Sequence, residues 1–295
     1  MSIPPLPALH LAALLFGAAG LFGELVLLPA PAIVLGRVTV GGVALGLIIR
    51  MRGERLVPAR GTDLAGFVGL GALLAVHWVT FFHSIQLSSV AVGLVTYSTF
   101  PVFTALLEPA LLRERWRWGD LGAALVTLVG VSLVVPRIDW ASDVTRGAFW
   151  GVMSGLTFAL LAVANRGYRR RYGALALTFH QLVWAAVVLL PLAAPQVSRA
   201  TGRDLVLLAL LGVVFTALAH GLFVWALEGI RARVASVVAT LEPVYGIVLA
   251  ALILGEMPSG RTLVGGAVIL AAAAWVMLRS SDRAELAAPP GPAGA

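Results

Sequence analysis

The feature that most constrains this chain is a succession of apolar runs, each near twenty residues, separated by short arginine-bearing turns. Crossing the hydrocarbon of a bilayer takes about 20 mostly apolar residues in helical form. Without water to bond exposed backbone groups, only helices or closed barrels can span it. The runs here are unbroken and lack the period-two alternation of a barrel strand. The pattern therefore predicts an all-α, polytopic membrane protein of ten transmembrane helices. They are placed near residues 9–28, 31–50, 63–84, 88–112, 118–136, 146–165, 174–194, 204–227, 233–254 and 261–279. Composition agrees: 60% of residues are hydrophobic and only 12% are charged, with a mean hydropathy of +0.96. Soluble domains carry about twice that charge.

Every cation is an arginine, and the net charge is +7. The arginines form neither a contiguous patch nor a basic tail, so no nucleic-acid partner is expected. They sort instead by loop. With the N-terminus inside, Arg50, Arg52, Arg55, Arg60, Arg113, Arg115, Arg117, Arg166, Arg169, Arg170, Arg171, Arg231, Arg233, Arg279 and Arg283 face the cytoplasm, 15 in all. Arg137, Arg146, Arg199, Arg203 and Arg261, 5 in all, face outward. This bias predicts a multi-pass protein of the inner (cytoplasmic) membrane with both termini cytoplasmic. The first ten residues carry no positive segment, so the first run is expected to be a retained helix. Cysteine is absent, which excludes disulfides and thiol chemistry.

Two stretches resemble one another. In the first, Phe100-Pro101 precedes Glu114; in the second, Glu242-Pro243 precedes Glu256, and both proline-to-glutamate separations are 13 residues. Small residues open the helices that follow, at Gly122 and at Gly265-Gly266. The reading is two related halves, residues 1–140 and 141–280, each of five helices, followed by a disordered tail at 281–295. Five is odd, so the second half enters the membrane upside down. Inverted repeats of this kind place substrate near the midplane between the halves.

These residues carry a resemblance. Leu35-Gly36-Arg37, the paired Pro101 and Pro243, Arg113-Glu114, Gly255-Glu256, Arg146-Gly147 and Asn165-Arg166 together resemble the EamA-type branch of the drug/metabolite transporter superfamily, over roughly residues 9–279. In overall organisation the likeness is to YddG-like amino-acid exporters. Arg113 stands where glycine commonly precedes the glutamate. The resemblance implies a central cavity lined by the first, third, fourth, sixth, eighth and ninth helices, which weighs against His180, Gln181 and Trp184 on the seventh.

The residues themselves suggest where such a cavity would act. Pro101 and Pro243 lie inside predicted helices, where each removes a hydrogen bond and bends the helix. Glu24 and Arg37 flank the Pro29-Ala30-Pro31 turn, both roughly 8–11 Å below the outer end at 1.5 Å per residue. They could pair across the hairpin, as a structural pair or as a gating and substrate-charge element. Glu242 is the candidate proton-coupling carboxylate or contact for a substrate ammonium. His77, Trp78 and Phe81 on the third helix, Tyr97 and Phe100 on the fourth, and His220 and Trp225 on the eighth are the candidate substrate-binding residues. Aromatic faces with a few hydrogen-bonding groups suit small amphipathic solutes. Gly147, Gly151 and Gly155 form a small-residue face for close helix approach.

The expected function is secondary transport, exporting small metabolites such as aromatic or other neutral amino acids by alternating access. Other small solutes, including drugs, cations and nucleotide-sugar-like metabolites, stay open, as does a channel or scaffold role. Hydrolase motifs are absent, so no enzyme is expected; with no P-loop, direct ATP drive is not expected. No cofactor and no metal site are expected. The expected partners are a small-molecule substrate and the lipid bilayer, and a homodimer is compatible with the sequence.

Overall fold

A computed structural model describes residues 3–53, 63–112, 118–135, 137–169, 171–227 and 238–287. Arg55, Arg60, Arg113, Glu114, Arg115, Arg117, Arg170, Glu228, Arg231 and Arg233 lie outside the described residues. Among those described, all regular structure is helical.

The described residues form ten helical runs. Run 1 is α1 (Pro5–Ala19) and the short α2 (Phe22–Leu25). Runs 2 and 3 are α3 (Ala30–Met51) and α4 (Leu64–Leu87). Run 4 is α5 (Val90–Tyr97) and α6 (Phe100–Leu112). Runs 5, 6 and 7 are α7 (Trp118–Val134), α8 (Asp143–Arg169) and α9 (Ala174–Val197). Run 8 is α10 (Gly202–Gly212), a π-helical segment (Val213–Leu218) and α11 (Ala219–Leu227). Run 9 is α12 (Glu242–Leu254) and run 10 is α13 (Gly260–Ala287). Eight runs are long and apolar enough to cross a membrane. The exceptions are run 5, with 17 residues, and the described part of run 9, with 13 residues. Most of the expected beginning of run 9 lies outside the described residues. α13 continues to Ala287, past the 281 boundary drawn for the tail; residues 288–295 lie outside the description.

Local chemistry sets the ends. Pro5 and Pro31 occupy first-turn positions, where a missing N–H costs nothing. Ser89 caps α5 by accepting from the Val92 amide. Thr201 and Asp204 form a reciprocal capping box at α10. Gly255 ends α12 at φ 70°, a left-handed conformation that favours glycine.

The two prolines expected inside helices stand instead at the second position of new ones. Run 4 stops at Tyr97, turns through Ser98-Thr99 and restarts at Phe100, with Pro101 next. Run 9 turns at Thr240-Leu241 and restarts at Glu242, with Pro243 next. Each helix is broken rather than bent, and each proline falls in the first turn of the new helix, where its missing N–H removes no helix hydrogen bond. At the run 4 break, hydroxyls cover loosened carbonyls. Ser98 donates to Leu94 O at 2.7 Å and Thr99 to Thr96 O at 2.8 Å.

The packing has a regularity. Run 3 packs on run 6, and run 8 on run 1; run 3 packs on run 7, and run 8 on run 2; run 4 packs on run 6, and run 9 on run 1. Shifting each partner by five, counting on from run 10 to run 1, converts one contact of a pair into the other. The contacts 2 with 7, 4 with 9, and 5 with 10 map onto themselves. Glycines permit the closest approaches. A Cβ on Gly246 would lie 2.8 Å from Gly17 O, and one on Gly155 would lie 2.9 Å from Tyr97 O. The Gly147, Gly151 and Gly155 face packs on Ser88, Thr96 and Thr99, and Ser84 Oγ donates to Gly147 O at 2.6 Å. Outward faces carry exposed leucine and valine, such as Leu125, Leu128, Val206 and Leu252, as a lipid-facing surface requires.

Side chains tie the loops at one end. Gln86 donates to Leu28 O and accepts from the Ala30 amide. Asp204 accepts from the Leu27 amide, and Glu256 accepts from the Val90 and Ala91 amides. At the other end Asp63 accepts from Arg171 at 3.1 Å and from Tyr172 OH at 2.8 Å.

The run 5–run 10 contact gives a direct test of packing. A Cβ on Gly130 would lie 2.6 Å from Ile269 Cγ1 and 2.9 Å from Gly265 O, whereas Gly122 faces open space. Gly130→Leu is expected to destabilise the purified protein by about 1–3 kcal/mol in detergent thermal unfolding, the usual cost of overpacking. Gly122→Leu should leave the transition unchanged.

Candidate functional site

Arg37 is the centre of the site. It lies on the buried side of α3, only 4% exposed, and its guanidinium carbon sits 3.8 Å from the centroid of the Trp78 ring. Stacking on an indole face offsets part of the loss of hydration, because the ring quadrupole attracts the cation. Its Nε donates to Thr216 Oγ1 at 2.9 Å. That hydroxyl is available because run 8 departs from α geometry at this level. Within the π-helical segment Thr216 donates to Leu211 O, five residues back, at 2.9 Å. The Thr216 carbonyl is in turn 2.7 Å from His220 Nδ1.

No described acceptor takes the two terminal nitrogens of Arg37. Among the described residues, Thr127 Oγ1 is the only fully enclosed side-chain nitrogen or oxygen without a partner. The Arg37 terminal nitrogens are therefore not fully enclosed and have no described hydrogen-bond partner. Glu242 lies within electrostatic range of Arg37, as does Tyr97, yet Arg37 and Glu242 form no ion pair. The two groups thus lie within electrostatic range of one another without an ion pair.

An aromatic cluster joins runs 3, 4 and 6 beside this pair. Tyr97 stacks on Phe100 at 5.2 Å between centroids and meets Phe81 edge-on at 5.6 Å. His77 lies 5.5 Å from Tyr97 and 4.9 Å from Phe158; Phe158 meets Phe100 at 4.9 Å. His77 Nδ1 is 3.0 Å from both the carbonyl and the hydroxyl of Ser154. Next to the cluster, Tyr97, Ser98, Phe100, Pro101, Glu242 and Pro243 border a narrow cleft at the two helix breaks. Its interior of about 10 Å³ admits a single water.

The structure therefore assembles His77, Trp78, Phe81, Tyr97, Phe100, Arg37, Glu242, Pro101 and Pro243 of the expected set. Three expected residues stand elsewhere. Glu24 is exposed on α2 and has Glu256, not Arg37, as its charged neighbour; the hairpin pair does not form, because the buried face of α3 points Arg37 toward run 8. Trp225 donates to Ile3 O at 3.2 Å, at the end of α11. His220 packs edge-on against Phe16 at 5.0 Å rather than joining the His77 cluster. The two histidines still answer one another: His77 meets Ser154 just before Gly155, and His220 meets Phe16 just before Gly17. His180 and Gln181 sit apart, against Phe67 and Asn165. Sequence reasoning missed Thr216, Ser154 and Phe158. A π-helical segment has no proline or glycine signature here, while Ser154 and Phe158 carried the weak signal of adjoining the glycine face of α8.

A model of the EamA-like transporter family matches the chain twice, over residues 6–135 and 145–278. The chain belongs to this family. As an EamA-like transporter it is a multi-pass membrane protein with a small-molecule substrate. It is 23% identical to the uncharacterized transporter YxxF of Bacillus subtilis (strain 168), over 93% of this chain and 89% of that one. It is 26% identical to an S-adenosylmethionine uptake transporter of Rickettsia bellii, over 70% of each chain. A probable terminal-alkyne amino-acid exporter of Streptantibioticus cattleyicolor is 26% identical over 87% of each. A solved structure described as "Crystal structure of protein" shares the fold, with a TM-score of 0.64 at 19% identity, over 96% of this chain and 99% of that one.

Thr216 can be tested alone. Thr216→Val keeps the shape but removes the acceptor for Arg37 Nε. Leaving a buried charged donor unpaired costs about 1–3 kcal/mol, so the variant should unfold earlier in detergent. Thr216→Ser should retain most of the stability.

Proposed function

We propose that this EamA-like transporter is a secondary carrier for small metabolites bearing an α-amino acid head group, moved by alternating access. In this reading residues 1–140 and 141–280 are inverted repeats, and substrate binds between them beside the broken helices of runs 4 and 9. The two-fold family match and the five-step regularity of helix contacts support the repeat. An odd number of crossings per half supplies the inversion.

One observation carries the substrate class: an arginine whose terminal nitrogens have no described partner lies within electrostatic range of a carboxylate, beside an aromatic cluster. A guanidinium takes a carboxylate in bidentate fashion, and Glu242 with the aromatic faces suits an ammonium. An α-amino acid supplies both charges at one end and a side chain for the cluster at the other. The named cargoes of two relatives, S-adenosylmethionine and a terminal-alkyne amino acid, share that head group although one relative is named for uptake and the other for export. Direction follows from gradients, and export is the reading favoured by the resemblance to amino-acid exporters. Glu242, at the run 9 break, is the candidate for proton coupling. Glu24 is at most a gating residue at the outer end.

Counterflow in liposomes tests the reading. Labelled neutral and aromatic amino acids should exchange, and the corresponding decarboxylated amines should not. Arg37→Gln should cut amino-acid exchange about 10- to 100-fold, as the loss of a hydrogen-bonded charge contact implies. Glu242→Gln should abolish the response to an imposed pH gradient. Exchange of amines as fast as amino acids would overturn the head-group assignment.

Topology has its own check, since the chain has no native thiol. With both termini on the cytoplasmic side, Leu27→Cys should react with an impermeant maleimide applied to intact cells. Arg52→Cys should react only after permeabilisation.

A further inference from the structure

We infer that the groove between α3 and α9 holds an acyl chain of an anionic phospholipid, whose head group rests on Arg50. The groove is separate from the Arg37 site. It encloses about 890 Å³ and is lined by Val38, Gly42, Val43, Leu47, Phe179 and Val187, with Arg50 and Gly53 at its mouth. Its floor exists because α3 carries glycine at 42 and 46, one turn apart, where any side chain would fill it. A Cβ on Gly46 would already stand 3.0 Å from Phe179 Cε2. The rims are apolar and outward: Val43 is 63% exposed, Leu47 56% and Val187 51%. In a membrane such a surface meets lipid, and its concavity selects a chain rather than a flat contact.

Length and charge choose the occupant. From Val38 to Arg50 the helix rises about 18 Å at 1.5 Å per residue, close to one leaflet, about half of the 30 Å hydrocarbon core. Arg50 closes α3 at the membrane surface, and no described carboxylate pairs with it. Beyond it the helix ends at Arg52 and Gly53, the latter at φ 69°. A cation at the interface end of an apolar, leaflet-deep groove matches a phosphate-bearing head above a buried chain. A second copy of this protein would need a ridge of like depth and would leave Arg50 without an anion.

The test uses the full-length protein reconstituted with equal phosphatidylglycerol and phosphatidylcholine, then read by native mass spectrometry. The wild type should retain phosphatidylglycerol in preference to phosphatidylcholine. Arg50→Gln should keep bound lipid but reduce that preference, on the order of fivefold for one interfacial arginine. Gly46→Leu should lose the bound lipid. Because Gly46→Leu could also disturb the α3–α9 contact, Val43→Trp, placed on the exposed rim, serves as a second filling variant. Equal retention of the two lipids by the wild type, or an unchanged preference in Arg50→Gln, overturns the proposal. So does efficient disulfide formation between copies carrying Val43→Cys, which would place a protein neighbour in the groove.

Discussion

Hydrocarbon offers no hydrogen bonds, and every irregularity in this molecule is shaped by that fact. Where the runs stay regular, the backbone satisfies itself. At two irregular places, in runs 4 and 8, a side-chain hydroxyl adds a donor. Ser98 and Thr99 return hydroxyl protons to Leu94 and Thr96 at the break in run 4. Thr216 does the same for Leu211 inside the π-helical segment of run 8. At these two places the irregular backbone is thus held by specific side chains.

The same constraint explains how a charge is kept in the interior. Arg37 has a ring beneath it, a hydroxyl at Nε and a carboxylate within electrostatic range, but no ion pair. A fully neutralised pair would be structurally quieter and would leave nothing for a ligand. An arginine half satisfied by the protein retains donors for an anion, and this division of its bonds is what the proposed amino-acid recognition rests on. The glycine contacts serve the same end by another route. Close approach at Gly17–Gly246 and at Gly155–Tyr97 brings backbone to backbone beside the breaks, so the helices that border the site pack without intervening side chains.

The arrangement has two layers of symmetry. Several of the helix contacts repeat under a five-step shift, and the break-plus-proline device occurs in both run 4 and run 9. The chemistry placed on that frame is not symmetric. Phe100 precedes Pro101 where Glu242 precedes Pro243, and His77 meets Ser154 while His220 meets Phe16.

How much of this the sequence held can be argued from particular residues. The apolar runs near twenty residues, together with the scarcity of charge, determined an all-helical membrane protein, because no other fold hides such surface. The two prolines, each followed by a glutamate thirteen residues on, marked the paired irregularities, although a break at Ser98-Thr99 and at Thr240-Leu241 replaced the expected bend. Tyr97 and Phe100 were legible because they adjoin Pro101, and His77, Trp78 and Phe81 because they cluster on one helix, His77 and Phe81 at i, i+4 spacing. Which way Arg37 points was not. Its distance from the hairpin turn suggested Glu24, but helix rotation is set by which face packs, and the buried face of α3 turned it to Trp78 and Thr216. Thr216 itself acquires its role only from a π-helical register that leaves no local sequence mark. Periodicity and composition act through the chain's own neighbours, so the sequence by itself determined what spans the membrane and where it breaks. Packing between distant runs decided which polar groups share the interior, and with them the site.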